Sequence, residues 1–285
     1  MITRDRLTRE ADLRSIDLGD HRLTYLPDGI ARIEPRLWLP DAGEHIWEQH
    51  ADLIDADGYL AASVGALLVE YGNRAMLIDA GFGPLAVPTN VGLLRGGRLL
   101  DSLTAAGRQV CDIELVALTH LHMDHLGWLW QSYPDTTTNI FAGIPILVGH
   151  TEWRTPDQAI ADGTPPEVLD LIAAQVRTLG DGEFFPGVTA IATPGHTLGH
   201  TAYQIASGRK RLLAFGDALT TPIQISHPQL TSAGDDAPDQ SRITARWLID
   251  QLTHPDVLGF GIHFADVQFG HVDTVGGTHR WQPLT

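Results

Sequence analysis

Ile113-Glu114-Leu115-Val116-Ala117-Leu118-Thr119-His120-Leu121-His122-Met123-Asp124-His125 sets a short apolar strand directly before four side chains of metal-binding type. Residues i and i+2 at a strand end share a face, so His120 and His122 point the same way, and a following turn folds Asp124 and His125 back toward them. Imidazole nitrogens and carboxylate oxygens gathered within a few ångströms suit Zn²⁺ and neighbouring divalent ions. A solvated turn has no structural need for that composition.

Three later stretches add residues of the same kind at similar places. In Thr193-Pro194-Gly195-His196-Thr197-Leu198-Gly199-His200, proline and glycine bend the chain just past a strand and present His196. His200 opens the next β-like run and reads as a structural, hydrogen-bonding histidine. Phe215-Gly216-Asp217-Ala218 ends an apolar strand in a carboxylate, from which one side chain can hold two cations. His263, in Gly259-Phe260-Gly261-Ile262-His263-Phe264, stands at another strand end.

Around these motifs the pattern is that of a mixed α+β chain. Strand-like runs cover 29–38, 63–70 and 75–78, the last two joined by a Tyr71-Gly72-Asn73-Arg74 turn. A helix is expected over 99–106, a strand over 113–118, and an amphipathic helix over 167–179 with Leu169, Ile172 and Val176 on one face. Strands at 188–192, 200–205 and 211–215 follow. An acidic loop at 233–240, a helix at 241–252 and a last strand at 257–262 complete the order, which suits two sheets packed face to face with helices outside.

Composition bounds the remainder. The 285 residues have no repeat and no linker-like block, so one domain over 1–285 is the leading reading, with residues 1–60 an extension available for a dimer contact. Lys and Arg number 19 against 35 Asp and Glu, and the net charge of −16 repels nucleic acid and anionic membrane surfaces. Neither a signal peptide nor a membrane span is evident, and the single cysteine, Cys111, fits a cytoplasmic location. Its apolar neighbours predict a buried or half-buried thiol.

Taken in order, His120-x-His122-x-Asp124-His125, Pro-Gly-His196-Thr-x-Gly-His200, Asp217, His263 and the early Leu77-Ile78-Asp79-Ala80-Gly81 resemble the metallo-β-lactamase-fold hydrolases over roughly residues 60–265. The resemblance implies a four-layer αββα sandwich with metals at one edge between the sheets. It implies that His120, His122 and His196 hold one divalent ion and Asp124, His125 and His263 another, with Asp217 bridging. Zn²⁺ is the expected ion, with Mn²⁺, Co²⁺ and Fe²⁺ compatible, and a shared hydroxide would attack the substrate. Asp79 is similar to an early aspartate that supports a ligand histidine, and Asp124 would orient the hydroxide and shuttle its proton.

Within that fold, a histidine at position 122 argues against the di-iron oxygen-reducing branch, whose pattern has glutamate there. The complete ligand set disfavours the mononuclear iron persulfide dioxygenases, which stay as the alternative. The stretch 92–119 is similar to lactonases and organophosphate hydrolases alike. Gly216-Asp217 through Pro228, with Asp235-Asp236 and Arg246, looks more like the methyl-parathion-hydrolase-like group. Acyl-homoserine lactonases commonly carry a tyrosine where this chain has Thr220, which weakens that particular reading. Trp128 replaces a glycine of many relatives, and Trp128, Trp153, Thr220 and Phe264 are the expected contacts of a small, fairly apolar substrate. His227, among the other histidines, is expected nearest the site.

Overall fold

The computed structural model describes residues 4–284, which form two mixed β-sheets stacked face to face with helices on both outer sides. The first sheet is built from β1 (Arg14–Leu18), β2 (His21–Ile33), β3 (Leu60–Tyr71), β4 (Arg74–Ile78), β5 (Ala86–Thr89), β6 (Gly92–Arg95), β7 (Val116–Ala117), β8 (Ile146–Val148) and β9 (Val176–Thr178). Its order is β5-β6-β2-β3-β4-β7-β8-β9, with β1 beside the first half of β2. The second runs β10 (Glu183–Phe185), β11 (Val188–Ala192), β12 (Thr201–Ser207), β13 (Lys210–Ala214), β14 (Val257–Phe260), β15 (Phe269–Val275) and β16 (Thr278–Pro283) in chain order.

Alternation along β3 shows how the layers form. Leu67 and Val69 point between the sheets, where they meet Tyr203, Ile205, Leu212 and Phe260 of the second sheet. Ala66 and Leu68 point outward under Leu99, Leu103 and Ile172 of the covering helices. Across the molecule, Ala245, Leu248, Ile249 and Leu252 of the long helix Pro238–Leu252 cover the second sheet. The expected αββα sandwich is the observed fold.

Several boundaries differ from the sequence reading. The strand expected over 29–38 is β2, which begins at His21; Pro35–Trp38 is instead a helical turn, because Pro35 sits at its first position and the Glu34 carboxylate accepts from Leu37 N at 2.6 Å. The ladder expected over 113–118 is confined to Val116–Ala117. The helix expected over 167–179 is Pro166–Ile172, after which Val176 pairs in parallel with Ile146 and becomes sheet. There the tertiary partner overrides the helical spacing. The long helix starts at Pro238, three residues before expectation, and Cys111 lies exposed on a single-turn helix rather than buried. Among the described residues no helix is long and apolar enough to cross a membrane.

Residues before 60 are more than an appendage, since β2 pairs with β3 along its whole length and sits inside the first sheet. The segment ahead of β1 is fastened to the far end of the chain. Asp266, whose side chain is fully buried, accepts from Arg9 at 2.6 Å, Arg6 at 3.2 Å, Arg14 at 3.3 Å and the Asp12 backbone N–H at 3.3 Å. Burial pushes its carboxyl pKa up, but the Arg9 and Asp12 hydrogen bonds and the charges of Arg14 and Arg6 outweigh that and hold it below the usual value. A depressed folded-state pKa stabilises the protein above the unfolded carboxyl pKa of about 4, and that contribution is lost as pH falls through the lower folded value. Asp266→Asn should therefore melt lower than wild type at pH 7 and lose less on acidification to pH 3. Melting curves across that range check it, and parallel acid limbs would refute it.

Candidate metal centre

At one edge of the sandwich the chain leaves β4, β7, β13 and β14 on the same side, and each exit delivers part of one cluster. Beyond β7 come Thr119, His120 and His122, then the turn Met123–Leu126 with Asp124 and His125. Asp217 follows β13 on a single turn, His263 follows β14, and His196 sits on the loop between β11 and β12. Three sets of ligand atoms lie within 4.8 Å of one another: His120–His122–His196, His120–His125–Asp217 and Asp124–His125–His263.

The distances suit a bound cation. His122 Nδ1 is 2.9 Å from His120 Nε2 and 3.1 Å from His196 Nε2. Three nitrogens at tetrahedral positions about 2.05 Å from a zinc ion would stand roughly 3.3 Å apart. Asp217 Oδ1 is 3.2 Å from His125 Nε2 and 3.1 Å from His263 Nε2, while Oδ2 is 3.4 Å from His196 Nε2. Asp217 thus touches both halves of the cluster. Asp124 lies at the mouth, 3.6 Å from His263 Nε2 and 3.8 Å from His125 Nε2. His125 Nε2 and Asp217 Oδ1 are buried without a hydrogen-bond partner, a costly state that a cation would relieve.

In four of the five imidazoles the nitrogen that faces away from the centre is tied to an oxygen. His263 Nδ1 donates to the Ser63 carbonyl at 2.8 Å, His125 Nδ1 to Asp79 at 2.9 Å and His196 Nδ1 to Asp235 at 3.0 Å. Thr119 Oγ1 donates to Asp79, which leaves it to accept from His120 Nδ1 at 3.0 Å. His122 is the exception: it turns the other way, and its buried Nε2 stands 3.4 Å from Asp162 without a hydrogen bond. The hydrogen bonds set the tautomers that aim a lone pair inward at His120, His125, His196 and His263. Asp79 manages its reach from a left-handed backbone, φ 60°, while Thr119 N donates to it at 2.8 Å. Gly81 beside it is also left-handed, at φ 55°, and a Cβ there would collide with Asp28.

Electrostatics divides the cluster. Burial and the neighbouring His125 and His122 hold His120 well below its ordinary pKa. For His125 burial acts in the same direction, but Asp217, Asp79 and Asp124 outweigh it and raise the value well above normal. Asp217 is held well below the usual carboxylate range because His263, His125 and His196 overcome its burial. The protons these carboxylates draw onto the rings are those a cation would have to displace. His200 is different: burial and His196 push it down to about 3, so it stays neutral, accepting from Asp217 N at 3.1 Å and bonding Thr193 through Nδ1 at 2.8 Å. It braces the Asp217 backbone.

The expected substrate contacts are placed less favourably. Phe264 is wholly enclosed by Phe215 and Trp281. Trp128 is buried, with Nε1 donating to Asp28 at 2.8 Å. Thr220 is buried too; its hydroxyl accepts from Trp38 Nε1 at 3.0 Å and faces Gln224 Oε1 at 3.2 Å. Phe264 has no free surface and Trp128 and Thr220 keep only 5% and 2%, because the same bulk and polarity that suggested a pocket wall is used to fill the interior. Trp153 is half-buried against the outer core of the first sheet. His227 meets His50 edge-on, with ring centroids 5.3 Å apart.

Sequence reasoning missed the supporting acids. Glu152 is buried and joins two motifs, accepting from Leu121 N at 2.9 Å and Thr197 Oγ1 at 2.6 Å. Asp28 is fully buried and accepts from the N–H groups of Phe82, Gly83, Gly97, Arg98 and Leu99 as well as Trp128 Nε1. The only trace was Pro27-Asp28-Gly29, a turn-like triplet inside an apolar stretch.

Comparison with known proteins places this geometry. A model of the metallo-beta-lactamase superfamily matches residues 63–258. A probable metallo-hydrolase of Mycobacterium tuberculosis is 28% identical over 175 residues, covering 53% of this chain and 55% of that protein. An N-acyl homoserine lactonase of Bacillus thuringiensis is 27% identical over 154 residues, covering 48% and 56%. The matches thus span little more than half the length of these curated relatives. Among solved structures, the dizinc quorum-quenching lactonase AidC, in complex with a product, superposes with a TM-score of 0.81 at 23% identity, covering 99% of each chain. The hydrolase AbOPH superposes at 0.80 and 23% identity, covering 96% and 98%. At that identity these two likenesses speak for the fold alone.

Proposed function

The chain belongs to the metallo-β-lactamase superfamily, and from that premise we propose that it is a dinuclear metal-dependent hydrolase cleaving an ester, lactone or phosphotriester bond of a small, fairly apolar substrate. The observation that carries the reading is the convergence of His120, His122, Asp124, His125, His196, Asp217 and His263 into three mutually close ligand groups sharing His120 and His125. Two divalent ions, Zn²⁺ foremost, would supply Lewis acidity to water and to the electrophile's oxygen. His120, His122 and His196 would hold one and Asp124, His125 and His263 the other, with Asp217 between them.

The protein's own groups do the remaining work. Asp124, the most exposed of the seven, is placed to orient the attacking water and take its proton. The buried tautomer network spares the rings from reorienting during turnover. With Phe264, Trp128 and Thr220 enclosed, the half-buried Trp38 and Met123 take their place as apolar contacts, Met123 standing between His122 and Asp124 in the chain. The acyl-homoserine lactonase reading is supported by the Bacillus relative, although Thr220 offers no free hydroxyl for a lactone carbonyl. A cytoplasmic location fits the single unpaired cysteine.

The test is elemental analysis of the purified protein paired with hydrolysis assays on lactones, aryl esters and a phosphotriester. About two zinc ions per chain and turnover that falls roughly 100-fold on chelation, returning with added metal, are expected. One iron per chain with no hydrolysis would replace the reading with the persulfide dioxygenase alternative.

A further inference from the structure

We propose that Asp235 is the positioning residue of His196, and that the segment 231–237 carrying it forms a clip which sets the His120–His122–His196 half of the site from outside the strand ends. His120 and His263 each stand three residues past a strand end, and their outer nitrogens bond Thr119 and the Ser63 carbonyl, both on the first sheet or its exits. His196 stands four residues past β11 on a loop whose Gly195 has φ 140°. Its outer nitrogen is held by the clip instead. Asp235, with its side chain 3% exposed, bonds His196 Nδ1 at 3.0 Å and is itself held by Ser232 Oγ at 2.8 Å and Ser232 N at 3.1 Å.

The backbone repeats the grip. Asp236 N donates to His196 O at 2.9 Å and Ala237 N to Gly195 O at 2.9 Å. The outer side of the clip is fixed by the helical turn Pro35–Trp38 and by Asp41 just beyond it: Ala233 N donates to Trp38 O at 2.8 Å, and Asp41 accepts from Thr231 Oγ1 at 3.2 Å and Arg242 at 2.9 Å. A carboxylate on the outer nitrogen holds the ring's tautomer and orientation and makes the inner nitrogen a stronger donor.

The inference rests on the metallohydrolase reading, so its test measures metal rather than turnover. Metal-free protein is titrated with Zn²⁺ against a chromophoric chelator, and its melting midpoint is recorded in parallel. Asp235→Ala should weaken one zinc ion by about 10- to 100-fold and leave the other within about twofold. Asp235→Asn, which keeps an acceptor oxygen without the charge, should fall between alanine and wild type and melt within about 2 °C of wild type when metal-free. Unchanged affinity for both ions in Asp235→Ala overturns the proposal, as does a loss matched by lower metal-free stability in both variants. If wild type binds no zinc, this inference and the metallohydrolase reading fall together. Normal zinc binding with no substrate hydrolysed would sink only the hydrolase, the positioning role then standing on the titration.

Discussion

Replacing Asp217 with alanine should remove metal and turnover together, with hydrolysis falling by roughly 10³-fold or more and bound metal dropping from about two ions to one or fewer. The size follows from position. Asp217 is 5% exposed and reaches His125 and His263 through one oxygen and His196 through the other. Alanine at 217 removes the one group common to both halves. It also takes from His125, His196 and His263 the largest of the counter-charges that oppose their burial. Elemental analysis and initial rates on one preparation decide the matter; a variant with full metal and full rate would end the bridging assignment.

Asp28→Ala should cost stability rather than chemistry. Six N–H groups converge on this fully buried carboxylate, drawn from the segment after Asp79, the start of the helix Leu99–Ala105 and the Trp128 indole. Each buried donor left without a partner costs on the order of 1–3 kcal/mol, and partial relaxation brings the sum to about 4 kcal/mol. At roughly 2–4 °C per kcal/mol, the melting midpoint should drop by some 8–16 °C. Thermal and urea unfolding of the variant check this, and a shift below about 3 °C would mean that water replaces the carboxylate.

The motifs of the candidate metal centre were legible because such a centre needs particular side chains at strand ends, and strand ends show as apolar runs that stop. His120, His196, Asp217 and His263 each follow such a run. What lay hidden depends on partners distant in the chain. Val176 sits at helical spacing from Leu169 and Ile172, yet pairs with Ile146. Asp28 falls in a triplet that spells a turn, but β2 absorbs it as a register shift between Pro27 and Gly29, aiming the carboxylate inward. Glu152 acts on motifs tens of residues away and leaves no local sign, and Asp235 shows only within a family-like stretch, not as the partner of His196. Large aromatic side chains misled for the opposite reason. A tryptophan or phenylalanine near a motif suits a pocket wall and a core equally, and the structure uses Trp128 and Phe264 for the core.

The fastening of Arg6, Arg9 and Arg14 onto Asp266 also bears on how the molecule is made. His263 is three residues from Asp266, and its partners span nearly the whole chain. During synthesis the opening segment must wait for most of the polypeptide to emerge before its acceptor exists. Contacts of such sequence separation close late and slowly. The edge that gathers the candidate ligands is thereby completed only when nearly the whole chain is available, His263 and the Asp266 fastening being among its last parts.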